Sequence, residues 1–410
     1  MKRNALLPIL ILTFIESFAT ILIERGAYFF TEHRMAFTDV NNLLLGLGFG
    51  ICYFAGAMSS HRMAVRFGER SVVTAAMVMH ILLHLAFVVA VLYTPAFIAV
   101  FLLLAVATGM KWPIFESYVS AGRDARSTAR AVGIFSIAWS TAVPPAMAAA
   151  GWLIALDLPN MGLSNGKVLF IAAAAVNVIT MLIIRTLPAA PVHMAHDHPD
   201  RLPAPALTRY KALMRSSRWA MFTSYALLFL LAPLMPTIFK DRLGFDVTTS
   251  LILASLVEIA RVVVFVALFF THRWHGNVPM LIATALCMPI GFLMVLFGAD
   301  TATVLIGEVL FGLVAGGAYY AAIYYAMVVA NASVDAGGDH EGFIGLGFAL
   351  GPLMGLMGIA LTHTGLSYTS GMLVGVLPIT ALCVATALYP LRHAGKSSHQ
   401  DTKAPSDPLG

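Results

Sequence analysis

The stretch PAFIAVFLLLAVATGMKWPIFESY, residues 95–118, decides how the chain is read. It begins as an apolar run suited to crossing a bilayer, then carries Lys111, Trp112, Pro113 and Glu116 within six positions. An ionisable side chain at mid-membrane costs at least about 2.5–3.5 kcal/mol. An interior proline also removes a backbone hydrogen bond. Both are tolerated where a helix faces other protein or a water-filled cavity. The stretch therefore reads as a membrane helix with one side turned away from lipid, and further helices must exist for it to face.

The rest of the chain supplies them. Of 410 residues, 59% are hydrophobic and 11% charged, with a mean hydropathy of +0.85. A soluble domain has about 25% charged residues, so this chain cannot cover a soluble surface. The net charge of +5 fits a bias of Lys and Arg toward the loops of one membrane face, not a nucleic-acid partner. Cys52, Cys287 and Cys383 show no paired or metal-type spacing, so no disulfide framework is expected. The start, MKRNALLPILILTFIESF, resembles a signal peptide but has no small-residue cleavage site; it reads as a retained first span.

A span needs about 20 mostly apolar residues. Twelve are expected, at 5–30, 41–60, 71–93, 96–119, 131–156, 167–187, 219–239, 247–271, 278–298, 301–330, 342–364 and 369–391. The chain divides into a first six-helix bundle at 1–187, a polar linker at 188–218, a second bundle at 219–391 and a disordered tail at 392–410. Eighteen of the 25 Lys and Arg fall on one side, which places that side and both termini in the cytoplasm, at the inner (plasma) membrane. One loop on that side, NASVDAGGDHEG at 331–342, is acidic and breaks the pattern.

The halves repeat. GMKWPIFESY at 109 falls opposite GAYYAAIYYA at 317, and Arg34 falls opposite Arg242 at the same offset. AFTDVNNLLL after the first span matches GFDVTTSLIL after the seventh, and SHRM at 60 matches THRW at 271. Four matches in one order argue for two pseudo-symmetric six-helix bundles, an all-α membrane protein of the kind built by secondary transporters.

Twelve spans, the 6+6 repeat and the central linker resemble the major facilitator superfamily over about residues 5 to 391. The loop RMAVRFGERS resembles that superfamily's signature between helices 2 and 3, with Arg66, Phe67, Gly68 and Arg70 matching. This implies a gating loop built on Arg66, Gly68 and Arg70. The signature's acidic residue is missing, since Val65 or Ser60 stands there. The helix 4 Arg of drug exporters is replaced near Ala105, and STAVPPAMAAAG lacks the antiporter glycines of helix 5. These departures count against a typical multidrug antiporter. IERGAYFFTEHRM resembles half of the helix 1 motif of proton-coupled oligopeptide transporters, through Glu24, Arg25 and Tyr28; the other half fails at Ile21.

Ionisable residues within spans are the candidates for function. Glu16 lies near the bilayer centre with no partner expected on its own helix, and is the leading candidate for a proton site. Glu24 and Arg25 are expected to face water at the outer end of helix 1. Lys111 lies too deep to snorkel and needs an anionic partner, either a carboxylate on helix 1 or the substrate. Glu116 can be an ion-pair partner or an interfacial anchor. Glu258 and Arg261, three apart, can pair on helix 8. Glu308 in helix 10 is a further coupling candidate. The resemblance implies that helices 1, 4, 7 and 10 line a central cavity, with Lys111 and Trp112 facing Tyr319 and Tyr320 across it. His80 and His84 share a helix face but sit on a peripheral helix, and His193, His196 and His198 read as a solvated loop. No metal and no cofactor is assigned.

With no phosphate-binding loop and no nucleophile–base constellation, the expected function is secondary active transport, not enzymatic. Transport proceeds by alternating access, and protons or another ion drive a small organic solute across the bilayer. The chain is expected to be monomeric and to bind no nucleic acid. The alternatives are a polytopic membrane enzyme acting on lipid, or a transporter-like sensor.

Overall fold

The computed structural model describes residues 6–120, 123, 125–191, 204–271, 273–330 and 334–392. Twelve helices among them are long and apolar enough to cross a membrane. They are α1 (Leu6–Met35), α2 (Asp39–Phe67), α3 (Glu69–Ala90), α4 (Thr94–Val119), α5 (Ser127–Ala155) and α6 (Lys167–Ile184) in the first half. The second half holds α7 (Thr208–Arg242), α8 (Val247–Phe270), α9 (Val278–Phe297), α10 (Thr301–Val329), α11 (Gly337–Thr362) and α12 (Tyr368–Leu388). The chain is a multi-pass membrane protein, and an even number of crossings leaves both ends on one face.

Three elements run longer than their apolar runs predict. α1 continues past residue 30, so Glu24 and Arg25 sit in its interior, buried, rather than at a wet end. Helical structure leading into α7 starts at Ala204, within the expected linker. α11 begins before residue 342 and takes His340 and Glu341 into the membrane domain, also buried. Glu24, Arg25, His340 and Glu341 face protein, whereas the start of α7 buries Tyr210, Ser216 and Ser217 and leaves Arg209, Lys211 and Arg215 exposed; hydropathy alone misplaces both kinds of boundary. The linker histidines His193, His196 and His198 and the tail from 393 lie outside the described residues.

The repeated sequences mark repeated local structure. Thr38 caps α2 by accepting from Asn41 N–H, and Asp246 caps α8 by accepting from Thr248 N–H at 2.9 Å and Thr249 N–H at 3.1 Å. A side-chain oxygen there satisfies N–H groups that the helix start leaves without partners. Hydrogen bonds from the Thr249 hydroxyl and N–H hold the Asp246 carboxyl below its ordinary range. Arg34 donates to Ile154 O at 2.8 Å and pairs with Asp157 at 3.0 Å; Arg242 donates to Leu296 O at 2.8 Å. Each cation thus sits at the negative end of a neighbouring helix, which stabilises it.

The two halves meet along α2 against α11 and α5 against α8. On the first seam a Cβ on Gly50 would lie 2.2 Å from Ala349 N, and one on Gly345 would lie 2.8 Å from Phe54 Cα. Only glycine permits such backbone approach. At the face opposite the termini, Lys240 pairs with Glu32 and Thr237 donates to Asp39 at 2.5 Å. Both partners on α7 lie in a π-helical turn, Thr237–Arg242, directly after Pro236, where the missing proline N–H loosens the helix. At the other end, Gly133 of α5 lies against the Tyr320 hydroxyl and Gly338 against Ala57 O. Contacts therefore join the halves at both ends of the seam.

Candidate functional site

Between the halves lies a central cavity of about 80 Å³. Five acidic or basic side chains line it: Glu24 and Arg25 from α1, Glu258 and Arg261 from α8, and Glu341 from α11. Tyr53, Trp112, Trp139, Tyr225, Tyr319 and Phe348 supply aromatic walls. α1 is interrupted at Arg25 and α8 at Ser255, one turn before Glu258. Irregular backbone at membrane depth is tolerated where it borders a cavity.

Four of the five charges form one cluster across the halves. Arg261 donates to Glu258 at 2.9 Å and to Tyr225 Oη at 3.1 Å. Arg25 lies 3.7 Å from Glu258 and 3.9 Å from Glu24. The sequence spacing anticipates the pair within α8; the link to α1 is tertiary. The Arg261 guanidinium stands 4.9 Å from the Trp139 ring and 5.7 Å from that of Tyr319, and Arg25 stands 4.6 Å from Phe229. Aromatic faces attract a cation most where water is excluded, so both guanidinium groups are held without bulk solvent.

Lys111 and Glu16 are together elsewhere. Both are fully buried, neither lines the cavity, and they pair with each other. Thr20, one turn along α1, donates to Glu16 at 3.1 Å and accepts from Lys111 at 2.7 Å. The expectation that nothing on its own helix can partner Glu16 overlooks this i+4 hydroxyl. His80 Nδ1 lies 3.3 Å from the same carboxylate, and Asn177 meets His84 Nδ1 at 2.9 Å. The two histidines therefore belong to a buried polar chain running from α1 and α4 through α3 to α6. Tyr320 also leaves the cavity: it packs against Trp274 and Phe265 at the terminus-bearing end. Of the four residues expected to face one another across the cavity, Trp112 and Tyr319 line it, whereas Lys111 and Tyr320 do not, and the Lys111 charge is matched inside the first half.

Glu341 is the site residue that sequence reasoning misses. It accepts from Tyr53 of α2 at 2.5 Å and lies near Glu116 of α4 and His340. Among the described residues these three form a group whose ligand-type atoms all lie within 4.8 Å of one another. Glu116 is 1% exposed, so it is no interfacial anchor. The signal was the acidic loop at 331–342 that broke the charge pattern. Glu308 is fully buried, away from the cavity, with no hydrogen-bond partner for either oxygen. In the loop between α2 and α3, Gly68 has φ +82°, which favours glycine. Arg70 donates to Leu187 O at 3.0 Å, and the Arg66 guanidinium lies over Phe67. These contacts all stay within the first half.

Several solved structures share this architecture. The human organic anion transporter MFSD10 (TETRAN) is 13% identical, with 96% of this chain and 99% of that one covered at a TM-score of 0.67. The xylose transporter XylE from E. coli, in a partially occluded inward-open conformation, is 11% identical over 95% and 97% at 0.68. A bacterial homolog of the human lysosomal transporter Spinster, inward-facing and unoccupied, is 14% identical over 100% of both chains at 0.67. A comparison with curated protein sequences gives no match. At such identities the likeness concerns the fold. The profile of the Major Facilitator Superfamily matches residues 3–338, most of the 410, and this chain belongs to that superfamily.

Proposed function

We propose that this chain is a proton-coupled secondary transporter that moves a small organic solute by alternating access. The superfamily consists of transporters rather than enzymes, and the central cavity, bounded by both halves, offers a solute its place. The observation that carries the coupling is Glu341. Glu24, Arg25, Glu258 and Arg261 offset one another. Glu341 lines the same cavity with no Lys or Arg within 4.0 Å among the described residues, and it reaches Tyr53 of the opposite half. A carboxyl so placed can pass between the two sides most easily with a proton bound. The mixture of aromatic rings and balanced charge favours a solute with an apolar body and a polar or charged group. The excess of Lys and Arg in the loops of the terminus-bearing face supports a cytoplasmic position for it.

The test is uptake of a panel of labelled solutes into proteoliposomes under an imposed proton gradient. The wild type is expected to accumulate at least one solute. Glu341→Gln is expected to keep solute exchange and lose gradient-driven accumulation. Gradient-driven accumulation that survives in Glu341→Gln removes Glu341 from the coupling. Solute binding without any flux marks a sensor instead.

A further inference from the structure

We propose that Glu116, His340 and Glu341 form a binding site for one divalent transition-metal cation of the Zn²⁺ or Mn²⁺ kind, shared between the two halves of the protein. The three side chains come from α4 in the first half and α11 in the second. Their relative exposures are 1%, 0% and 4%. His340 Nε2 lies 3.8 Å from Glu116 Oε1. Ligands about 2.0–2.2 Å from one tetrahedral ion are about 3.5 Å apart, so a small inward shift would close the shell.

A second observation points to a ligand. Both ring nitrogens of the fully buried His340 lack a hydrogen-bond partner, and the buried Glu116 carboxyl faces His340 and the Glu341 carboxyl. Leaving a buried polar atom unsatisfied costs about 1–3 kcal/mol, and more for a charged one. The two His340 nitrogens bear that cost beside two carboxyls that crowd each other. Glu341 commits Oε2 to Tyr53, which would orient the carboxylate as a hydrogen-bonded partner orients a metal ligand. The nearby cation Arg218 is engaged with Asp339 at 3.5 Å. A cation would give His340 a partner and offset two neighbouring carboxylates at once. Carboxylate oxygen with imidazole nitrogen suits Zn²⁺, Mn²⁺ or Fe²⁺ better than Ca²⁺ or Mg²⁺, which take all-oxygen shells.

The site has a mechanical consequence. Its ligands are together only while the halves meet at the terminus-bearing end, so a bound cation stabilises that closed state over the open one. The binding site stands on its own geometry. Its effect on coupling, by occupying Glu341 in place of a proton, rests on the function proposed above.

The test uses the full chain, purified without a polyhistidine tag, with His193, His196 and His198 replaced by Ala to remove background binding. After chelator treatment, ZnCl₂ and MnCl₂ are titrated while calorimetry reads stoichiometry and thermal unfolding reads Tm. One Zn²⁺ per chain is expected, with Tm rising as free metal rises. Glu116→Gln and His340→Gln should each weaken binding by about tenfold or more, since even the outer partners of metal ligands are worth that much. Both variants must match the wild-type Tm in chelator; where one does not, the other and Glu341→Gln decide. Absence of binding at millimolar free metal, or undiminished affinity in well-folded Glu116→Gln and His340→Gln, overturns the proposal. Proton-driven uptake measured in chelator tests the coupling role separately, so either idea can fail alone.

Discussion

At the residue scale the decisive fact is that Lys111 and Glu16 satisfy each other. Removing one partner of a buried ion pair leaves an uncompensated charge and costs about 3–5 kcal/mol, whereas replacing both with neutral residues of similar size is often nearly neutral. Lys111→Met and Glu16→Gln are therefore each expected to lower unfolding stability in detergent by about that amount. The double variant should recover most of it. If the two losses simply add, the pair is not coupled and its assignment here fails. Most of the individual candidates were legible because a charge in an apolar run is conspicuous: Glu16, Lys111, Glu258 and Arg261 announce themselves. Their partners were not. Tyr53, Tyr225 and Trp139 are ordinary residues in a membrane helix until the fold brings Glu341 and Arg261 beside them.

At the element scale the α2–α11 seam depends on glycines that let two backbones touch. A Cβ on Gly50 would overlap Ala349 N at 2.2 Å, and backbone cannot step aside as a side-chain tip can. Gly50→Val is expected to prop the halves apart. Its readout is maleimide labelling of a cysteine at the cavity-lining position Ile344, after replacement of Cys52, Cys287 and Cys383. About 1.4 kcal/mol against closure already changes the open fraction tenfold, so labelling should accelerate by about that factor or more. Labelling no faster than with glycine at 50 would show that the seam yields elsewhere. Helix existence was plain from hydropathy; helix ends were less so. The first turns of α11 carry His340 and Glu341, which hydropathy assigns to water and packing assigns to protein.

At the scale of the whole molecule, transport requires the two halves to part at one end while meeting at the other. The contacts Asp39–Thr237 and Glu32–Lys240 close the end opposite the termini. Bridging cysteines placed by Asp39→Cys and Thr237→Cys with a short bifunctional thiol reagent should stop solute uptake almost completely. A reducible bridge should restore uptake when cleaved. Uptake that continues with the bridge in place would mean this end need not open. By itself the sequence determined the class of protein, the number of spans, their division into two related halves and which side chains had no business in lipid. Those follow from one solvent's intolerance of charge and bare backbone, which acts on each segment locally. Only the tertiary structure decided which of those charges look into the cavity and which neutralise one another inside a bundle. Pairing depends on distances between segments up to hundreds of residues apart, as from Tyr53 to Glu341, and no local pattern encodes them.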